Sequence, residues 1–264
     1  MKLSASNIAW GPEDDQEVYL KLKAEGFSAL EIAPTRLIPQ KPYQPENIIL
    51  AASMAKEIQS HWGFSICSMQ SLWYGLTERI FGTPQERAFL FEYTCSALDF
   101  AAAVGCPHVV FGSPRNRIIE HPMQIPIGEE FFSACAAYAE TKRIIIGIEA
   151  NPTSYGTNYI NTTPEALELV QAVNSPFFKL NLDLGTVLEN KESLAPLARL
   201  IPYISHVHIS EPSLAAVIDR IEHQQLARLL EDGGYVGWIS LEMRNSGRAS
   251  LFHSLERVAK VFKL

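Results

Sequence analysis

No two of the four cysteines form a CxxC or CxxH pair: Cys67, Cys95, Cys106 and Cys135 lie scattered in apolar stretches such as FSICSM and FSACAAYA. A thiol in such surroundings behaves as a small hydrophobe. So sparse a set in a 264-residue chain excludes a disulfide scaffold and points to a reducing compartment. Basic charge is also scarce: 22 Lys and Arg stand against 29 Asp and Glu, a formal net charge of -7. That balance speaks against the basic face a nucleic-acid partner requires. No apolar run reaches the roughly 18 residues of a membrane span, and the MKLSASNIAW start lacks the apolar core of a secretion signal. A cytoplasmic protein without nucleic-acid or membrane partners is the expectation. Charged residues are only 19%, too few for extensive disorder, while 47% hydrophobic residues supply a large core. A GxSxG elbow, a P-loop and an HExxH helix are all absent.

No Pro/Gly/Ser linker divides the chain either. Short apolar runs alternate with segments of helical period from one end to the other. The runs are LSASNIAW, SALEIAP, SICSMQSL, HVVFGSP, IIIGIEAN, FKLNLDLG, ISHVHIS and WISLEMR. The helical segments are 13–25, 45–60, 84–103, 127–141, 163–173, 191–200, 219–232 and 249–262. Thr83-Pro84 and Thr163-Pro164 each place a capping hydroxyl before a proline at the first helical position, and Glu86 completes a capping box in the former only. Strands alternating with helices imply parallel strands joined by helical crossovers. Eight of each favour a closed α/β barrel, a single (β/α)8 TIM barrel over residues 1–264, and about 250 residues is its usual size. The first strand–helix turn, WGPEDD, lacks the glycine fingerprint of a dinucleotide fold.

Side chains of a barrel strand alternate between the lumen and the surrounding helices. In the last four strands one parity is apolar: Ile146 and Ile148, Leu180 and Leu182, Val207 and Ile209, then Ile239, Leu241 and Met243. The other carries Gly147 and Glu149, Asn181 and Asp183, His206 and His208, then Ser240, Glu242 and Arg244. Glu149, Asp183, His208 and Glu242 follow one another at 34, 25 and 34 residues, each close to the ~30 residues of one strand–helix repeat, so each ends its own strand. That end of a barrel is where its enzymes place their chemistry. Three carboxylates gathered in a partly buried site repel one another and call for a counter-charge. One divalent cation, with the imidazole as fourth ligand, would supply it. An oxygen-rich set suits Mn, Mg or Co, with Zn a second option that usually prefers more nitrogen or sulfur.

IEAN (148–151), NLDLG (181–185), HVHISE (206–211) and SLEMR (240–244), in that order, resemble the metal-site motifs of the xylose isomerase-like barrel superfamily, most closely the sugar phosphate isomerase/epimerase family. NYINTTPEAL (158–167) resembles the segment that follows the first metal-binding Glu there. The resemblance implies that Glu149, Asp183, His208 and Glu242 are the metal ligands and that Glu149 and Glu242 double as acid and base. It implies isomerisation or epimerisation of a small sugar, sugar phosphate or keto acid through an enediolate. One departure stands out: Thr186 occupies the place where ketose epimerases have a His three residues after the Asp. A hydroxyl cannot match an imidazole as proton relay, so the reaction within the class stays open. A metal-dependent dehydratase of a polyol or hydroxy-keto acid is the alternative on the same site. An apurinic endonuclease would need further His ligands where the strand ends read SMQS, FGSP and HISEP. A non-catalytic barrel sits badly with an intact ligand set.

Around the four ligands, Glu31, Gln70, Asn151, Arg244 and Arg248 are candidate substrate contacts. Glu31 and Gln70 end strands, Arg244 lies one layer above Glu242, and Arg248 is in the NSGR loop where many barrels bind phosphate. For Arg244 a salt bridge, and for Arg248 an ordinary helix-start charge, are the competing expectations. Trp10, Tyr74 and Trp73 either wall a sugar site or pack under loops, and Asn158 either bonds substrate or stabilises a turn. His206 supports a ligand or packs. His61, His108, His121 and His223 have no partner spacing. A homo-oligomer is compatible with the family by analogy.

Overall fold

The structure, a computed structural model, describes residues 1–263. The eight apolar runs become eight strands: β1 (Lys2–Ser6), β2 (Ala29–Ile32), β3 (Ser65–Met69), β4 (His108–Phe111), β5 (Ile145–Glu149), β6 (Phe178–Asp183), β7 (Ile204–Ile209) and β8 (Trp238–Leu241). They pair in parallel and in sequence order, and β8 closes on β1 with Leu3 opposite Ile239. Among the described residues nine α-helices wrap them: α1 (Asp15–Glu25), α2 (Pro34–Leu37), α3 (Pro45–Trp62), α4 (Pro84–Ala103), α5 (Ile125–Lys142), α6 (Thr163–Val173), α7 (Leu184–Glu189), α8 (Ile221–Asp232) and α9 (Arg248–Phe262). This is the (β/α)8 TIM barrel expected of the alternation.

The apolar parity seals the barrel against its helices. Ile146, Ile148, Leu180, Leu182, Val207, Ile209, Ile239 and Leu241 are all buried on that face. Each such side chain removed from water contributes about 1.5–3 kcal/mol. Among the described residues all four cysteines are free and buried, and no helix is long and apolar enough to cross a membrane.

Two local expectations are corrected. Helix α6 is capped one residue earlier than Thr163: Thr162 accepts from the Glu165 amide, Glu165 reaches back to the Thr162 amide, and the capping box is complete after all. The helix expected over 191–200 is replaced by the short α7, which starts directly at the end of β6. Pro196 and Pro202 then break the following segment into 3-10 turns at Ala195–Arg199 and Ile201–Tyr203.

Two strands carry an extra residue. Leu180 pairs with Ile204 but Asn181 with His206, so Ser205 is a bulge in β7, and Cys67 is one in β3. The β7 bulge turns Ser205 and His206 both toward the lumen without disturbing the parity of His208. There Ser205 Oγ meets His108 Nε2 at 3.0 Å, and His108 Nδ1 meets Ser68 Oγ at 3.0 Å. Gly147 is required beside this ring, because a Cβ there would come within 2.6 Å of His108 Nε2.

Candidate metal centre

Glu149 ends β5, Asp183 ends β6, His208 lies within β7, and Glu242 follows β8. The inward parity therefore delivers three carboxylates and an imidazole to one end of the lumen. His208 Nδ1 is 3.0 Å from Glu149 Oε2, 3.1 Å from Glu242 Oε2 and 4.0 Å from Asp183 Oδ2. One ligand atom from each of the four lies within 4.8 Å of all the others. Two oxygens bound at right angles to one Mg2+ at ~2.1 Å would be ~3 Å apart, so the spacing suits a small divalent cation.

The surrounding side chains orient each donor. Glu149 Oε2 accepts from Asn181 Nδ2 at 2.7 Å, and its Oε1 from Asn151 Nδ2 at 2.8 Å. Glu242 Oε1 accepts from Gln70 Nε2 at 2.6 Å. Asp183 Oδ1 caps α7 by accepting from the Thr186 amide at 2.6 Å, while Oδ2 accepts from Ser210 Oγ at 2.5 Å. His208 Nε2 sits 2.9 Å from Glu31 Oε2. With the Nε2 proton given to Glu31, the Nδ1 lone pair faces carboxylate oxygens, an arrangement that only a proton or a cation on that nitrogen makes tolerable.

Charge crowding is visible in the titration of these groups. Burial, reinforced by Glu149 and Glu242, pushes the Asp183 carboxyl up to about 7. Burial raises Glu242 against the pull of His208. His208 would fall on burial, but the Glu31 and Glu242 carboxylates outweigh this and hold it well above its usual range. Burial would raise Glu31, yet His208 keeps it well below the ordinary carboxylate range. Without a cation, a proton on His208 would be the counter-charge.

A cleft of about 150 Å3 opens above these groups, lined by Glu149, Asp183 and Glu242 together with Gln70, Asn151, Tyr155, Thr186 and Leu214, among others. No Lys, Arg or His is among its lining residues. Of the candidate substrate contacts, the structure brings Gln70 and Asn151 into the cleft wall. Glu31 lies deeper, fully buried, where it touches His208, His206 and Gln70 rather than the cleft. Arg244 is exposed and is not in the cleft wall. Arg248 is turned to the outer surface, paired with Glu17 and 3.6 Å from Asp14.

The aromatics expected near the mouth mostly pack. Trp73 lies against Phe111 and Phe131 and donates to Thr94 Oγ1, Trp10 donates to Asp15, and Tyr74 is 72% exposed. Asn158 staples the backbone of Ile119 from both sides. Beneath the centre His206 meets Ser240 Oγ at 2.8 Å and stacks on His108. Thr186 Oγ1 donates to the Ala150 carbonyl and is buried.

Two residues that no motif signals belong to this neighbourhood. Tyr155, from the NPTSYG loop, lines the cleft, and burial with help from Asp183 pushes its phenol up to about 12. Arg117, in the β4–α5 connection, is fully buried behind Asn151.

Residues 20–261 match the family described as xylose isomerase-like TIM barrel. No curated protein matches the chain by sequence. Solved structures with the same fold include a D-psicose 3-epimerase from Clostridium cellulolyticum, at TM-score 0.80 and 16% identity over 100% of both chains. A 3-keto-D-glucoside 4-epimerase from E. coli has TM-score 0.76 and 18% identity over 100% of both chains. A sugar phosphate isomerase/epimerase from Parabacteroides distasonis has TM-score 0.73 and 18% identity, covering 98% of this chain and 92% of the other.

Proposed function

The chain belongs to the xylose isomerase-like TIM barrel family, and on that premise we propose that it is a divalent-metal-dependent enzyme that moves protons beside the carbonyl of a small sugar-like substrate, as an isomerase or epimerase. Glu149, Asp183, His208 and Glu242 would hold the cation, Mn, Mg or Co by the oxygen-rich donor set. When bound, that ion supplies the positive charge that polarises a substrate carbonyl and its neighbouring hydroxyl.

The observation that carries the reading is the division of labour within each glutamate. Glu149 and Glu242 each turn Oε2 toward His208 Nδ1 and leave Oε1 to a carboxamide of the cleft wall, Asn151 or Gln70. One oxygen would hold the cation, and the other, kept to the cleft wall, would take or give a proton. Gln70 and Asn151 also offer hydrogen bonds to substrate hydroxyls. The substrate is a sugar-like molecule rather than a nucleic acid, in keeping with the cleft's small volume and acidic wall. The whole of residues 1–264 would act as one catalytic domain.

A metal-dependent dehydratase is the second reading, and Tyr155 favours it. Its phenol is in the cleft wall with Glu149, Asp183 and Glu242, where it would give a proton to a departing hydroxyl after a glutamate has removed the one beside the carbonyl.

The test is to load the protein with Mn2+ and offer dihydroxyacetone, D-fructose and D-tagatose in D2O, following deuterium at the carbon next to the carbonyl by NMR. Exchange is expected, and it should vanish in Glu149→Gln while Mn2+ stays bound. An ultraviolet-absorbing enone product would point to the dehydratase. No exchange from the Mn2+-loaded protein, or exchange unchanged in Glu149→Gln, would overturn the proposal.

A further inference from the structure

Arg117 is 0% exposed, and among the described residues no carboxylate pairs with its guanidinium. Burying an unpaired charge is expensive. A methionine of similar bulk would fill the space without that penalty, so packing does not account for an arginine. What the guanidinium does make is specific. Nη2 donates to the Glu149 carbonyl at 3.1 Å and to Asn151 Oδ1 at 2.5 Å, while Nε and Nη1 have no partner. Burial lowers the guanidinium to about 10, which still leaves it positive at neutral pH.

Arginine has donors only, whereas an asparagine carboxamide has a donor end and an acceptor end. Arg117 therefore forces Asn151 to present its oxygen inward and its NH2 to Glu149 Oε1, 2.8 Å away. Were the carboxamide reversed, two oxygens would face each other. Gly112 flanks this pair, and a Cβ there would lie 3.3 Å from Glu149 Oε1 and 3.5 Å from Asn151 Oδ1. On the other glutamate the corresponding carboxamide, Gln70, is anchored through its oxygen by a neutral hydroxyl, Ser71 Oγ at 2.9 Å. Of the two carboxamides, Asn151 is the one whose oxygen is held by a cation.

We propose that Arg117 is a positioning residue for Glu149: through Asn151 it holds Oε1 off the metal position and facing the cleft, as the oxygen that carries the proton. The proposal rests on the reading of Glu149 as a proton carrier given above. It predicts that Arg117 and Asn151 act as one unit on proton transfer, separately from cation binding, which is served by Oε2 and Asn181.

The experiment compares wild type with Arg117→Met, Arg117→Lys, Asn151→Ala and the Arg117→Met/Asn151→Ala double variant, all loaded with Mn2+. Mn2+ affinity is read by calorimetry, exchange from dihydroxyacetone and D-fructose by NMR, and the Glu149 carboxylate by crystallography. Arg117→Met and Asn151→Ala should each slow kcat for exchange about 100-fold, the scale of one misplaced proton carrier, with Mn2+ affinity within about threefold in both and KM within about threefold in Arg117→Met, whose side chain is outside the cleft wall. The double variant should be no worse than the worse single, since the two share one chain of contacts. Lysine, still a cationic donor, should recover part of the loss. In crystals, Glu149 should bind Mn2+ through one oxygen in wild type and through both in Asn151→Ala. Multiplying effects, Mn2+ affinity falling with the rate, or one-oxygen binding in both proteins would overturn it. Wild type that binds Mn2+ without any exchange would sink the functional reading alone, and the crystallographic comparison would still decide the role of Arg117.

Discussion

The two ends of the lumen are both lined by inward-facing side chains of the strands and behave as opposites. At the floor, Ser4 and Ser240 hydroxyls meet at 2.6 Å, and His206 and His108 take Ser240, Ser68 and Ser205 as partners. Burial lowers both floor imidazoles, so they stay neutral. The connections there start from uncharged donors, and the one carboxylate they meet is Glu31, 3.3 Å from His206 Nε2. At the mouth, three carboxylates face one imidazole, with the Glu31 carboxylate behind it. The floor is a set of satisfied polar contacts of the kind that rigidifies a core, and the mouth is a set completed only by an added positive charge. Within one barrel, the difference separates what holds the fold from what is proposed to act on substrate.

The largest expected effect that tests this contrast is on rate. Glu242→Gln keeps the shape of the mouth but removes a proposed proton carrier, and exchange in the Mn2+-loaded protein should fall about 10²–10⁴-fold. Full activity in that variant would erase the distinction drawn above. Next is Glu31→Gln, which weakens the carboxylate that orients His208. Calorimetric Mn2+ affinity should drop about 10–100-fold, as is usual for partners that orient a ligand. Glu31 is absent from the cleft wall, so KM should stay near wild type if it never touches substrate.

Acidity gives a smaller and continuous effect. As proposed ligands Asp183 and His208 would have to be deprotonated, yet crowding pushes Asp183 up to about 7 and His208 well above its ordinary value. Protons therefore compete below neutrality. Affinity should weaken as pH falls, about tenfold per unit for each proton displaced, and loading at pH 7 should release protons. Calorimetry in buffers of different ionisation enthalpy measures that release, and none at all would contradict the crowded mouth. The smallest effect belongs to the floor. Ser68→Ala removes one oxygen from His108, which should cost about 1 kcal/mol of stability by thermal unfolding and leave Mn2+ affinity unchanged.

Much of this centre is legible in the chain because two periods coincide. A period of two separates inward from outward residues, and the strand–helix repeat sets Glu149, Asp183, His208 and Glu242 at a common height. Those regularities show which face a residue takes but not its depth, and Glu31, assigned to the substrate by its place at a strand end, lies instead behind His208. Helix α7 has only six residues, too few for a 3.6 period to register, and its N-cap is the strand's own last aspartate. The extra residues Ser205 and Cys67 leave no mark in the sequence, since a bulge is defined by its partner strand. Arg117 and Tyr155 sit in irregular connections, where a buried arginine reads like any surface charge.

Asp183 ends a strand, opens a helix and holds the hydroxyl of the next strand's end, with one short side chain reaching all three. At this position reach matters as much as charge. Glutamate would carry the same formal charge one methylene further out, lose its grip on the Thr186 amide or on Ser210, and set free the turn that the shorter acid pins. A substitution usually regarded as mild would therefore cut the thread between β6, α7 and β7 at a single knot.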